Sequence, residues 1–240
     1  MSSFSTIKYD KIDNIADICL NRPEVLNAYN TQMRDEIYQI IGAAEEDSEV
    51  KALIIRGEGD RAFCSGADLT EFGTAPSMAI ARQVRWERDV WGLLWAIEKP
   101  VIAALHGYVI GSGLEMALLC DFRIATNDCT FRLPEANLGM LPAAGGSQTL
   151  SRIAGVPIAS SMLLAGYAMN SEEAIRSGLV HKIVSGDNIM DESIELASKL
   201  ANYPDRSMRA MKHAIRKGID LPLESGLDLE LNLAVACNGE

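Results

Sequence analysis

Strand, helix, strand is the order imposed near the start of the chain, and it restricts the fold more than any other feature. Residues 14 to 21 set Ile15, Asp17 and Cys19 against Ala16, Ile18 and Leu20, the two-residue alternation of a strand. Residues 31 to 46 carry Met33, Ile37, Ile40, Ile41 and Ala44 at helical spacing, and Val50 to Arg56 is a compact strand built on Ala52-Leu53-Ile54-Ile55. Strands joined this way imply a right-handed crossover. Residues 4 to 10 supply the other arm of an opening hairpin with Asp13-Asn14 at its turn, and Arg22-Pro23 ends the second arm.

Glycine and proline punctuate the middle of the chain. A glycine-rich connection, Gly57 to Asp68, precedes a segment that reads as one long helix from Ser77 to Ile97, terminated by Lys99-Pro100. Val101 to Leu105 is the next strand, and it leads through the Gly111-Ser112-Gly113 turn into a helix over Leu114 to Leu119, then a short strand at Phe122 to Ala125. Residues 130 to 149 hold so many Gly and Pro that loops and helix starts are expected there. Beyond 156 the pattern is mostly helical, with a last strand at Ile183-Val184 and two amphipathic helices between 204 and 236. No internal repeat, low-complexity tract or domain linker interrupts it. With 240 residues, 48% of them hydrophobic, the chain can bury one large α/β core followed by helices.

Charge narrows the range of partners. A formal net charge of -11 argues against nucleic acid or an anionic membrane as the main partner, because both reward clustered Lys and Arg. The five cysteines are odd in number and lack CxxC spacing, and His106, His181 and His213 show no ligand spacing, so neither a disulfide framework nor a metal site is expected. Met1-Ser2-Ser3-Phe4 lacks the start of a signal peptide and no apolar run approaches a membrane span, so a cytoplasmic location is expected.

Two glutamates carry the strongest chemical signal. Glu115 follows the Gly111-Ser112-Gly113 turn, Glu135 follows Pro134, and a pair of carboxylates in one pocket can divide acid and base work. Alone, each is equally a favourable charge in a first helical turn. Free N–H groups at the helix start behind Gly111 would attract an oxyanion. Ser65-Gly66-Ala67-Asp68-Leu69 is either a turn with an Asp N-cap or, paired with the amide near Ser112, half of a two-donor oxyanion hole. Other signals are weaker. Gly57-Glu58-Gly59-Asp60-Arg61-Ala62 fits a dinucleotide pattern, but Glu58 and Asp60 would repel a diphosphate. Ser112 lacks the glycine that a nucleophile elbow needs at position 110, where Ile110 stands. Trp86, Trp91 and Trp95 read as core packing or as the wall of an apolar pocket.

These residues together resemble the enoyl-CoA hydratase/isomerase (crotonase) superfamily over about residues 6 to 220. The segments that carry the resemblance are Leu20-Asn21-Arg22-Pro23 with Leu26-Asn27-Ala28, Ala62 to Leu69, Lys99-Pro100 to Ala104, Gly107 to Asp121, and Leu133-Pro134-Glu135 with Leu138-Gly139, Pro142 and Gly145-Gly146. The resemblance implies a crotonase-like spiral of ββα units over residues 1–190, holding an acyl-CoA site, and a C-terminal helical trimerisation region over 191–240, assembling as a homotrimer or a hexamer of two trimers. It implies catalytic acids at Glu115 and Glu135 and oxyanion-hole amides at Ala67 and Ser112. Substrate would lie along Ser65, Ala67, Asp68, Leu69, Thr70 and Gly111. No metal or separate cofactor is implied, coenzyme A entering as part of an acyl-CoA thioester.

With both acids present, the implied reaction is reversible hydration of a 2,3-unsaturated acyl-CoA, Glu115 activating water and Glu135 delivering a proton. The alternatives are a double-bond isomerase relying on Glu135 and a non-catalytic acyl-CoA binder; a nucleic-acid role is disfavoured by the acidic charge. Three departures stand out. Ser112 occupies a common glycine position, Glu24 stands where relatives often have a basic residue near the coenzyme phosphates, and Asn238-Gly239-Glu240 precedes where a final Lys/Arg-rich helix is expected. The ADP end would then be held by another part of the chain, or the acyl carrier would differ.

Overall fold

The computed structural model describes residues 4–238. The Met1-Ser2-Ser3 start and the Gly239-Glu240 end, both weighed above, lie outside the described residues. A six-stranded sheet forms the frame: β1 (Ile7–Ile12), β2 (Ile15–Leu20), β3 (Ala52–Gly57), then β5 (Val101–Leu105), β7 (Phe122–Thr126) and β10 (Lys182–Val184), in the order β1-β2-β3-β5-β7-β10. β1 and β2 make the expected antiparallel hairpin, and every later pairing in this sheet is parallel. A second sheet of four short strands has the order β4-β6-β8-β9: β4 (Ala62–Cys64), β6 (Tyr108–Ile110), β8 (Thr130–Arg132) and β9 (Met169–Asn170). Successive strands β3-β4, β5-β6 and β7-β8 therefore step from the large sheet to the small one before a helix returns the chain, which is the ββα spiral.

The large sheet is covered on both faces, which is why its strands are almost unbroken apolar runs. Leu53, Ile55, Val101, Ala103 and Leu105 point into the main core. Their neighbours Ala52, Ile54, Ile102 and Ala104 pack on the other face against Ala197 and Leu200 of α8 (Ile189–Ala201). Asp17, on a strand whose residues are all buried, is 3% exposed and is held by Arg56 from the adjacent strand, both carboxylate oxygens accepting from Nε at 3.0 Å. Helix α1 (Thr31–Glu46) starts where its N-cap Asn30 accepts from the Met33 N–H, and buries Met33, Ile37, Ile40, Ile41 and Ala44 as the spacing predicts.

The single helix expected over 77–97 is instead two, α2 (Met78–Glu87) and α3 (Val90–Ala96). Asp89 causes the break: its backbone leaves the helical region and its side chain accepts from the Gly92 N–H, capping α3. α2 has no buried side chain, and Trp86 is 71% exposed, so the tryptophans do not form one core stripe. The glycine-rich connection and residues 130–149 also hold the unexpected strands β4 and β8, too short for an alternation to show.

Downstream, α4 (Ser112–Leu119), α5 (Gly146–Ala154), α6 (Val156–Leu163) and α7 (Ser171–Arg176) complete the core, followed by α8, α9 (Asp205–Gly218) and α10 (Leu223–Asn238). A charged cluster fastens α9 to the core. Lys212 and Arg216 pair with Asp121 at 2.6 and 2.8 Å, Asp121 also accepts the Val101 N–H, and Lys212 donates to the Lys99 carbonyl. Burial pulls the Lys212 ammonium down to about 8 against the opposing pull of Asp121. Removing the carboxylate strands two cations in this joint. Asp121→Ala is expected to lower stability by about 3 kcal/mol in a denaturant titration, with no comparable loss for a surface variant such as Glu172→Ala.

Candidate active site

The Gly111 turn is where the two sheets deliver the chain to the site. β6 ends at Ile110, Gly111 takes a φ of 53° that side chains rarely adopt, and α4 begins at Ser112. A Cβ at Gly111 would also stand 3.0 Å from the Glu135 Oε1. The turn leaves the Ser112 N–H at the head of the helix without a backbone partner among the described residues. Ala67 offers a second such group. Gly66 and Asp68 pair with Tyr29, the Tyr29 N–H donating to Gly66 O and the Asp68 N–H to Tyr29 O, both at 2.8 Å. The intervening Ala67 amide therefore faces away from Tyr29, because successive peptide groups alternate along an extended segment.

Glu115 lies on the first turn of α4 and is 2% exposed. Its Oε1 accepts the N–H groups of Ala144 at 2.8 Å and Gly146 at 2.9 Å. Burial pushes its carboxyl above the ordinary carboxylate range, while those two amides and the Arg85 charge pull it back. Glycine at 146 lets the backbone come this close, since a Cβ there would sit 3.0 Å from the Glu115 Cγ and 3.1 Å from its Oε1. Glu135 opens a single 3-10 turn after Pro134 and is 9% exposed. Its Oε2 is buried with no hydrogen-bond partner among the described residues. Burial raises its pKa first, its own backbone N–H pulls the other way, and the Glu115 charge adds to the rise.

Both carboxylates line one cavity of about 740 Å³, together with Ser65, Ala67, Leu69, Gly111 and Ser112. Asp68 and Thr70, expected beside substrate, do not line it. Asp68 accepts from the Thr70 hydroxyl and N–H at 2.6 and 3.1 Å and from Arg22 at 2.9 Å, so its carboxylate organises the loop. Glu24 lies on an exposed turn and does not line this cavity. His106, the histidine directly after β5, is likewise absent from the cavity lining. Glu58, in the dinucleotide-like segment, is engaged by Lys8 and Arg56, which is the work of a surface turn. Ala144 was the participant that sequence reasoning missed; the adjacent Gly145-Gly146 pair was its signal. Among the described residues, no cluster of three or more His, Cys, Asp or Glu side chains is arranged to hold a metal.

A buried acid held by two amides beside one with an unpartnered buried oxygen, facing two unpartnered N–H groups across a cavity, suits proton transfer next to a carbonyl whose oxygen gains charge. The family model for Enoyl-CoA hydratase/isomerase matches residues 10–238. The chain belongs to this family. It is 35% identical to the short-chain-enoyl-CoA hydratase of Clostridium acetobutylicum over 221 residues, covering 92% of this chain and 85% of that protein. It is 33% identical to the crotonyl-CoA hydratase of Syntrophomonas wolfei, covering 98% of this chain and 90% of that one. A crystal structure of an enoyl-CoA hydratase subunit from Geobacillus kaustophilus superposes with a TM-score of 0.93 at 34% identity, over 100% of this chain and 92% of that one. The crotonase spiral expected from the motifs is thus the fold of the chain.

The raised Glu135 pKa also bears on stability. The unfolded chain releases this proton near pH ~4.3, whereas the folded chain holds it higher, so between the two values the folded state binds more protons and stability falls as pH rises. Glu135→Gln is therefore expected to be more stable than the parent in thermal melts at neutral pH. The gap should close below about pH 4, where both states of the parent are protonated.

Proposed function

We propose that the protein is an enoyl-CoA hydratase that adds water reversibly across the 2,3-double bond of an unsaturated acyl-CoA thioester. The observation that carries this is the convergence of two buried carboxylates, Glu115 and Glu135, on the cavity that the Ala67 and Ser112 residues also line. In this reading the thioester oxygen accepts from the Ala67 and Ser112 N–H groups, each such donor lowering the barrier by ~3 kcal/mol. The Ser112 side chain is no obstacle, because the donor is its main chain.

The surroundings of the two acids assign their roles. Glu115 has two amides on Oε1, so the negative charge of the pair rests there, and its second oxygen accepts a proton from water as that water attacks C3. Glu135 has an unpartnered oxygen in a dry setting beside that charge, so it keeps its proton and delivers it to C2. Hydroxyl on C3 and hydrogen on C2 account for one water, and the proton left on Glu115 restores Glu135 before the next turnover. The reaction run backwards is dehydration.

No metal or redox group takes part in this reading; coenzyme A arrives as part of the substrate. A homotrimer or a pair of trimers is supported by the exposed Leu223, Leu227, Leu231 and Val235, which repeat every fourth residue along α10. A cytoplasmic setting is supported by five cysteines that are all free. Among the described residues, no helix is long and apolar enough to cross a membrane.

Glu115→Gln and Glu135→Gln are each expected to lower kcat/KM for a short 2-enoyl-CoA by about a hundredfold or more, with melting transitions retained. Mass analysis of product formed in ¹⁸O-water is expected to show one labelled oxygen. An unlabelled product with a displaced double bond would mean isomerisation instead.

A further inference from the structure

Two polar groups in the cavity wall are given no contact with the reacting atoms by the hydration chemistry. The Tyr29 hydroxyl is buried with no hydrogen-bond partner among the described residues, an arrangement that calls for one. Its ring leans on Trp91, with centroids 5.1 Å apart, and its backbone is stitched to the Gly66–Asp68 loop, so the hydroxyl is held in place. Burial pushes its pKa up, against the pull of Arg34 and Arg85, which leaves it a neutral donor within their field.

The second group is Arg85, on α2. Three arginines line the cavity: Arg34, Arg85 and Arg88. Arg34 and Arg88 both pair with Asp35 at 2.7 Å. Arg85 has no carboxylate partner among the described residues and rests on the carbonyl of Ala143, in a chain where 33 acidic residues face 22 Lys and Arg. Beyond Arg85 and Trp91 the cavity continues into a second hollow of about 1070 Å³. Arg82 lines that hollow one helical turn earlier, over the Trp86 ring, and the carboxylate of Asp89 there is committed to capping α3.

We propose that Tyr29 and Arg85 form a receptor for a carboxylate carried on the acyl group, so that the preferred substrate is a dicarboxylic 2-enoyl thioester. The inference rests on the hydratase reading above and names its substrate class. A guanidinium and a phenol match a carboxylate as donors, and the guanidinium offsets its repulsion from Glu115. A purely hydrocarbon acyl group would leave the buried Tyr29 hydroxyl unmatched and the Arg85 charge without a counterion, which is how a polar site rejects an apolar analogue.

The test compares an ω-carboxy-2-enoyl-CoA with its ω-carboxamide, using the full-length protein. The parent is expected to favour the carboxylate at least about tenfold in kcat/KM, with the ratio falling about tenfold in Tyr29→Phe, further in Arg85→Gln, and less in Arg85→Lys. A parent ratio at or below unity overturns the proposal. So does an Arg85→Gln variant that slows both substrates by one factor, since Arg85 would then only steady the Ala143–Ala144 loop. Calorimetry with the two saturated thioesters and free coenzyme A separates this inference from the hydratase reading. A carboxylate preference in binding that Arg85→Gln removes sustains the receptor even if neither enoyl thioester is hydrated. Equal weakening of all three ligands assigns Arg85 to the coenzyme phosphates and overturns it.

Discussion

A carboxylate that is 2% exposed can carry charge only where donors are already in place, and for Glu115 they are the peptide N–H groups of Ala144 and Gly146. Without them, burial would push both carboxyls up unopposed by those amides, and the two acids would be more nearly alike. With them, the pair is asymmetric. The rest of the site follows from supporting that asymmetry: a glycine at 146 so the amides can approach, a proline before Glu135 and a positive φ at Gly111 so the second acid can sit beside the turn with its Oε2 unpartnered.

The two sheets explain how such different segments meet. Each step from the large sheet to the small one ends in a loop on the same side, and the loops after β4, β6 and β8 bring Ala67, Ser112 and Glu135 to one cavity. The buried strands supply rigidity and the loops supply chemistry, the division expected where a site sits on the edge of a packed core.

Much of this was legible in the residues. The large sheet announced itself through apolar runs, and the Gly111-Ser112-Gly113 turn with Glu115 behind it pointed to the site by residue type and spacing alone. Two kinds of feature stayed hidden. Strands of two or three residues, such as β4, β8 and β9, are too short for alternation to register, so the second sheet and its ββα repetition left no periodic trace. The break at Asp89 was hidden because an apolar stripe continued across it, and only the side-chain cap shows that the backbone does not. The partners of Asp68 stayed hidden for a related reason: sequence reports that a carboxylate is present, not that Arg22 and Thr70 already occupy it.

Helix α2 contributes no buried side chain to the core, yet Ala81 and Arg85 on it face the cavity. Substitutions there meet little resistance from packing, so the cavity's outer wall can be rewritten while the frame and the paired acids stay as they are. A lineage could therefore explore new acyl groups by drift in one peripheral helix, keeping its chemistry fixed and its folding free energy almost untouched.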